Sequence, residues 1–157
     1  MAISSLRINP AEHDLDPSRP PHCRPRAVTL RDAPSSPAAV PVLRCFARDA
    51  ARLWELPDEA VDRVALVVTE LVTNAVLHSD SPDVAVAIEF DGAVVTVEVK
   101  DTGMWRSRRS ARRIAEDGVT GGRGLDLVER SSTWWRAFLS PLGTRVVACL
   151  AVHPQTV

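Results

Sequence analysis

The sequence lacks several features that would each indicate a particular class of protein. It contains 19 basic and 20 acidic residues, so it has no general excess of positive charge to attract nucleic acid or anionic lipid. It has no run of about 18 apolar residues that could span a bilayer, and no basic segment followed by an apolar run that would indicate secretion. We therefore expect a cytoplasmic protein with no direct nucleic-acid or membrane contacts.

Cysteine is scarce as well. The three cysteines, Cys23, Cys45 and Cys149, are too few and too far apart for a zinc site or a disulfide framework. They fit a protein kept in a reducing compartment.

The length and the apolar pattern predict one domain with one core. The chain has 157 residues, and a chain of this length seldom supports two cores. Residues 1–25 are rich in proline and charge and have almost no apolar periodicity, so we expect a disordered extension before a domain at 26–152.

Helices are predicted first and strands later. A short strand at 27–30 precedes helices at 38–56 and 57–79, then a hairpin of 84–90 with 93–99 around Asp91-Gly92. A long loop at 101–124, a helix at 125–130 and a hairpin of 133–139 with 144–151 follow. This order predicts an α/β (α+β) two-layer sandwich rather than a doubly wound sheet.

The second helix carries polar groups along one edge. Glu70, Asn74 and His78 fall within roughly 80° of each other on a helical wheel. Beside them runs a core stripe of Val61, Val64, Ala65, Val68, Leu71, Val72 and Ala75. Taken alone, such an edge is compatible with solvation or an interhelix hydrogen bond as well as with a site.

Three weaker motifs follow in order along the chain. They are Asp101-Thr-Gly103 at a strand end, Gly121-Gly-Arg-Gly124 before a helix, and Gly143-Thr144 at a hairpin. Each alone is compatible with an ordinary turn or helix entry. With the polar helix, their order resembles the nucleotide site shared by histidine kinases, DNA gyrase, the heat-shock ninety chaperones and mismatch-repair ATPases.

This resemblance to the Bergerat, or histidine-kinase-like, ATPase fold spans about residues 37–151. It implies a mixed, largely antiparallel sheet with helices on one face and a site for ATP and Mg²⁺ between the layers. Glu-Leu-Val-Thr-Asn-Ala-Val-x-His, Gly-Arg-Gly-Leu-x-Leu-Val and the following Trp134-Trp135 look most like the anti-sigma factor serine kinases of Gram-positive bacteria, in their stand-alone actinomycete form.

The chemistry of the helix residues fits the roles that the resemblance implies. The neutral oxygen of Asn74 suits a magnesium ion that takes its other ligands from phosphates and water. Glu70, one turn earlier, could act as the general base for an attacking hydroxyl. His78 is either a nucleotide contact or an imidazole that only caps or packs.

The later motifs would bind the nucleotide itself. Asp101 accepts hydrogen bonds and donates none, which suits the amine of adenine and selects ATP over GTP. Gly103 would let the backbone pass close to the base, and Thr144 would support Asp101.

The glycine-rich motif would face the phosphates. Gly122 and Gly124 permit backbone N–H groups to point at the phosphates, with the positive end of a helix starting near Leu125. Arg123 would meet the γ-phosphate or a partner.

A lid would lie between these motifs, at 104–121. Its arginines are either a solvated basic segment or a clamp for phosphate and partner; they are Arg106, Arg108, Arg109, Arg112 and Arg113. The sequence Asp101-Thr-Gly-Met-Trp105 lacks the second glycine of the superfamily's Asp-x-Gly-x-Gly motif.

By resemblance, we expect an ATP-dependent serine kinase that sequesters a sigma factor and phosphorylates an anti-anti-sigma antagonist. The related kinases are often dimers, which leaves a homodimer as an open alternative to a monomer. The alternative from another class is a non-catalytic ATP-sensing module that holds a partner. A sensor histidine kinase fragment is weaker because no phosphoacceptor helix hairpin precedes the domain. Nucleic-acid binding through the lid arginines is disfavoured by the near-neutral charge.

Overall fold

The computed structural model describes residues 27–103 and 123–152, and in this part of the chain three helices pack on one five-stranded sheet. The strands are β1 (Ala27–Pro34), β2 (Asp83–Phe90), β3 (Val94–Asp101), β4 (Trp134–Ser140) and β5 (Gly143–Ala151). The helices are α1 (Ala39–Leu53), α2 (Asp58–His78) and α3 (Arg123–Ser131). The predicted extension at 1–25 and the predicted lid at 104–121 lie outside the described residues.

The sheet order is β1-β2-β3-β5-β4, and each neighbouring pair is antiparallel. The α+β two-layer prediction is confirmed, and the described sheet is antiparallel throughout. Both predicted hairpins are present. In the β2–β3 hairpin Gly92 has φ +93°, while Asp91 Oδ1 accepts hydrogen bonds from the N–H groups of Ala93 (2.9 Å) and Val94 (2.8 Å).

The end of β1 and the start of α3 differ from the prediction, and β3 continues to Asp101 rather than ending at residue 99. β1 continues to Pro34 because it pairs with β2 along its whole length, and a proline at the last position of an edge strand removes no necessary ladder bond. α3 begins at Arg123 rather than Leu125. The first N–H groups of a helix need no intrahelical partner, so periodicity marks helix starts poorly.

The core lies between the helices and the inner face of the sheet. The seven predicted stripe positions of α2 are all buried, and Val64, Val68 and Val72 are fully enclosed. They face the alternate inward residues of the central strands, such as Val86 and Val97. Each such valine stabilises the fold by about 1.5–3 kcal/mol relative to an exposed one. This burial fixes the rotation of α2 and therefore the direction of its polar edge.

The end of α1 corrects another prediction, since the helix stops at Leu53 rather than at residue 56. Glu55 has φ +55°, its N–H donates to Arg52 O (2.9 Å), and Leu56 N–H donates to Ala51 O (3.1 Å). These two bonds form a Schellman motif, which normally has glycine where Glu55 stands. The turn directs Leu56 into the core.

We expect Glu55→Gly to stabilise the protein by about 0.5–1 kcal/mol, because a side chain in the left-handed region costs roughly 1–2 kcal/mol and the greater unfolded-state entropy of glycine offsets about 0.5–1 kcal/mol of that. The change would be measured as a shift of the urea unfolding midpoint. Glu55→Ala is the matched control, since it removes the same charge but retains Cβ. Equal stabilisation by both variants would show that charge, not backbone conformation, is responsible.

The outer face of the sheet carries a carboxylate between two cations. Glu98 Oε1 lies 2.6 Å from Lys100 Nζ, and its Oε2 accepts hydrogen bonds from Arg145 Nε (2.8 Å) and Nη2 (2.7 Å). Partial burial raises the pKa of Glu98, but the hydrogen bonds and charges of Lys100 and Arg145 outweigh burial and hold that pKa below its ordinary value of 4.5.

The sign of this shift predicts a pH dependence. Because the folded-state pKa is lowered, the contribution of Glu98 to stability is present above about pH 4.5 and is lost as the pH falls through the folded-state value. We expect Glu98→Gln to destabilise the protein at pH 7 and to have a smaller effect at pH 3, measured by urea unfolding. Glu129→Gln, on the exposed side of α3, is the control. An effect of Glu98→Gln that does not shrink on acidification would contradict the prediction.

Among the described helices, none is both long and apolar enough to cross a membrane.

Candidate functional site

A cleft opens between α2, α3 and the end of the sheet where β3 ends and β5 begins. In this structure the cleft is narrow, with room for about one water molecule. Its lining combines three predicted site residues with apolar groups: Asn74, Asp101 and Leu125, with Leu71, Ala75, Val99, Trp135 and Val146. A mostly apolar cleft with a few convergent polar groups is typical of a small-molecule site.

Asp101 is the last residue of β3, and its side chain lies on the buried face of the sheet. It is 7% exposed and stands opposite Thr144 of β5, which is 4% exposed. Asp101 Oδ1 accepts a hydrogen bond from the Gly103 N–H at 3.1 Å, which forms an Asx turn. The turn fixes the orientation of the carboxylate at the cleft.

Glycines allow close backbone approach on both sides of this turn. A Cβ on Gly103 would lie 2.8 Å from the Asp80 backbone nitrogen and would overlap that of Ser81. A Cβ on Gly143, which has φ +135°, would overlap the carbonyl oxygen of Asp101. Larger residues would therefore displace the turn from the loop after α2 on one side, and from β5 on the other.

The glycine-rich start of α3 lies against α2. Glu70 is half-buried, and a Cβ on Gly124 would overlap its carboxylate oxygen Oε2. Leu125 is buried beneath this contact, whereas Arg123 is exposed at the first position of α3. Predicted Gly122 lies outside the described residues. The structure thus brings a carboxylate to the N-terminus of a helix.

Asn74 projects from α2 into the cleft. Its Nδ2 is buried and, among the described residues, has no hydrogen-bond partner. An unsatisfied buried amide costs about 1–3 kcal/mol, and a polar ligand in the cleft would remove that cost. The amide oxygen and nitrogen exchange places by rotation, so this position can offer either a donor or an oxygen ligand.

Asn74 can supply one oxygen ligand to a cation whose other ligands come from bound phosphate and water. In residues 27–103 and 123–152 there is no cluster of three or more His, Cys, Asp or Glu side chains that could hold a metal ion. Mg²⁺ commonly takes phosphate oxygens and water as most of its ligands, and the amide oxygen of Asn74 is compatible with such a site.

His78 is not brought into the cleft lining. It is the last residue of α2 and is exposed.

Sequence reasoning missed Trp135 as a cleft residue. Trp134 and Trp135 are adjacent in β4, so only one can face inward, and the register with β5 places Trp135 opposite buried Ala148. Strand alternation predicts that one of the two tryptophans faces inward, but it does not predict which one.

Comparison with known proteins identifies the fold. A family model described as a histidine kinase-like ATPase domain matches residues 33–149. The chain belongs to this family. Membership of the histidine kinase-like ATPase domain family implies that the domain binds ATP, and the family fold is the antiparallel sandwich described above.

Solved structures of low sequence identity share the histidine kinase-like fold. One is the structure of the RsbU and RsbW domains of Rv1364c from Mycobacterium tuberculosis, with TM-score 0.60 and 19% identity over 82% of this chain. The present chain spans only 33% of that one. Another is a chain of the SiaB-SiaC complex from Pseudomonas aeruginosa, with TM-score 0.56, 16% identity, and coverage of 78% of this chain and 88% of that one. A search of the curated proteins finds no match.

Proposed function

We propose that this protein is an ATP-dependent serine kinase and anti-sigma factor that acts by partner switching. It would phosphorylate a serine of an anti-anti-sigma antagonist. The observation that supports this most directly is the packing of the Glu70 carboxylate against Gly124 at the start of α3, beside the cleft that Asn74 and Asp101 line. A potential general base, a helix N-terminus that can face phosphates and a carboxylate that can recognise adenine thus lie at one site.

In this proposal the described residues divide nucleotide binding between them. Asp101, supported by Thr144, accepts the hydrogen bond of the adenine amine and so selects ATP over GTP. The N-terminus of α3, with Gly124 and Arg123, faces the phosphates. Asn74 supplies an oxygen ligand for the magnesium ion, which when bound neutralises phosphate charge.

Glu70 would serve the transfer step as general base. It accepts the proton of the antagonist's serine hydroxyl while that oxygen bonds to the γ-phosphorus and the bond to the β-phosphate oxygen of the departing ADP breaks. Gly124 leaves room for the carboxylate at the helix end. Most of the rate enhancement in phosphoryl transfer comes from positioning and charge stabilisation, so precise placement of Glu70 matters more than its intrinsic basicity.

The proposed partners are a sigma factor and its anti-anti-sigma antagonist, met in the cytoplasm, with the kinase as a homodimer. The similar folds support a role in paired regulation, because one comes from the RsbU and RsbW domains of a single chain and the other from a SiaB-SiaC complex.

A second candidate is a non-catalytic ATP-sensing module that grips a partner. The sequence feature that favours it is Trp105 in place of the second glycine of the Asp-x-Gly-x-Gly motif. In that case ATP would bind and change partner affinity, but no phosphate would be transferred.

The test is calorimetric titration with magnesium-ATP, followed by incubation with γ-labelled ATP and purified anti-anti-sigma proteins of the source organism. Micromolar binding and labelling of a serine in one antagonist are expected. Binding without labelling, together with ATP-dependent complex formation, would support the sensing module instead. Absence of ATP binding would overturn both.

A further inference from the structure

We propose that Ser81 is a positioning residue that holds the Asp101–Gly103 turn and thereby sets the preference for adenine over guanine. The inference deepens the proposed ATP site and rests on it. Ser81 lies in the loop between α2 and β2, away from the cleft lining, and is 7% exposed. Its hydroxyl contacts Thr102 in the turn, although the two residues are 21 positions apart in sequence.

Three groups surround the Ser81 hydroxyl oxygen. It donates to the Asp83 carbonyl oxygen at 2.5 Å, accepts from the Thr102 N–H at 3.0 Å, and lies 3.1 Å from Thr102 Oγ1. A serine hydroxyl has one proton, and Asp83 receives it. The Thr102 hydroxyl must therefore be the donor to Ser81, so Thr102 is bound through both its backbone and its side chain.

Thr102 is the central residue of the turn whose first residue is Asp101. The Asx bond from Gly103 N–H to Asp101 Oδ1 fixes the carboxylate relative to the turn, and the Ser81 hydroxyl fixes the turn relative to the loop. The backbone of Gly103 also packs directly on that of Asp80 and Ser81. The direction of the Asp101 carboxylate therefore depends on Ser81 through Thr102.

The same loop begins at the end of α2. Ser79 N–H donates to Ala75 O (3.0 Å) as the last bond of the helix, and Ser79 Oγ accepts from Ser81 N–H (3.3 Å). This chain of bonds ties the helix that bears Asn74 to the turn that bears Asp101. The residue proposed to recognise adenine and the proposed metal ligand are thus connected by hydrogen bonds rather than carried on independent loops.

The experiment measures the affinities of the full chain for magnesium-ATP and magnesium-GTP by calorimetry, and the unfolding midpoint of each variant. Ser81→Ala removes all three contacts, and we expect roughly tenfold weaker ATP binding with a similar fall in the ATP:GTP preference. Thr102→Val removes only the hydroxyl contact at an exposed position and should lower the preference by roughly threefold. Thr102→Ser keeps the hydroxyl and should restore it.

Ser132→Ala is the control, because it removes a serine hydroxyl that likewise donates to a backbone carbonyl, that of Val128 at 2.6 Å, but after the end of α3 and without contact with Ser81 or Thr102. A purely structural role for Ser81 would lower the unfolding midpoint in both serine variants and leave the ATP:GTP preference unchanged, which would overturn the inference while the ATP site stands. If Ser81→Ala does not fold, an unchanged preference in Thr102→Val overturns it equally. Wild-type protein that binds no ATP would refute the proposed function itself.

Discussion

Replacing Asp101 by asparagine should weaken ATP binding by roughly 100-fold, about 2.7 kcal/mol. The proposed hydrogen bond from the adenine amine ends on the buried Asp101 carboxylate, and hydrogen bonds to an ionised carboxylate are about twice as strong as neutral ones. Asparagine can keep its Oδ1 on the Gly103 N–H, so the Asx turn should survive. Its amide nitrogen would then face the adenine amine, placing two donors against each other.

The substitution should also reverse part of the base preference, since an amide nitrogen can donate to the carbonyl of guanine. Titration with magnesium-ATP and magnesium-GTP would measure both effects. Asp62→Asn is a suitable control, because it removes the same charge from an exposed ion pair with Arg48 near the start of α2. If Asp101→Asn binds ATP within a few-fold of the wild-type affinity, the assignment of the adenine pocket is refuted.

The second large effect is expected at Glu70. Glu70→Gln should leave ATP affinity within about threefold of wild type but slow phosphate transfer to the antagonist by roughly 10²–10⁴-fold, the usual contribution of general base catalysis. Glutamine has the size of glutamate and can occupy the same space against Gly124, but it cannot accept the serine proton.

Single-turnover transfer from labelled ATP separates this effect from binding. Glu59→Gln, in the exposed first turn of the same helix, controls for the loss of a charge from α2. Transfer at the wild-type rate by Glu70→Gln would remove Glu70 from the catalytic role, although its contact with Gly124 would still shape the helix start.

The fold was predictable from sequence because burial leaves a periodic trace. The stripe of α2 and the Asp91-Gly92 hairpin each follow from local pattern, and both are as expected. The end of α1 was not, because Glu55 adopts a conformation that favours glycine and leaves no signal in composition. Propensity describes the average residue, whereas this turn is imposed by the burial of Leu56.

The candidate site was likewise predictable in part from sequence. Asn74 and Asp101 were expected at one site because the order of their motifs resembles that of the histidine-kinase-like ATPases, whereas helix period and strand position alone left each compatible with a solvated edge or an ordinary turn. Among the described residues the Asn74 Nδ2 has no hydrogen-bond partner, and this could not be foreseen. Nor could the bonds of Ser81 to Thr102, which join segments 21 residues apart in sequence. Such contacts depend on tertiary packing, and no local pattern in the sequence predicts them.

The positions of Ala27 and Val152 have an architectural consequence. Ala27 pairs with Phe90, and Val152 N–H donates to Ala93 O, so both residues lie at the end of the sheet opposite Asp101 and Thr144. Strands of eight residues separate the two ends by about 25 Å. A domain fused directly to Ala27 or Val152 would therefore begin about 25 Å from the cleft.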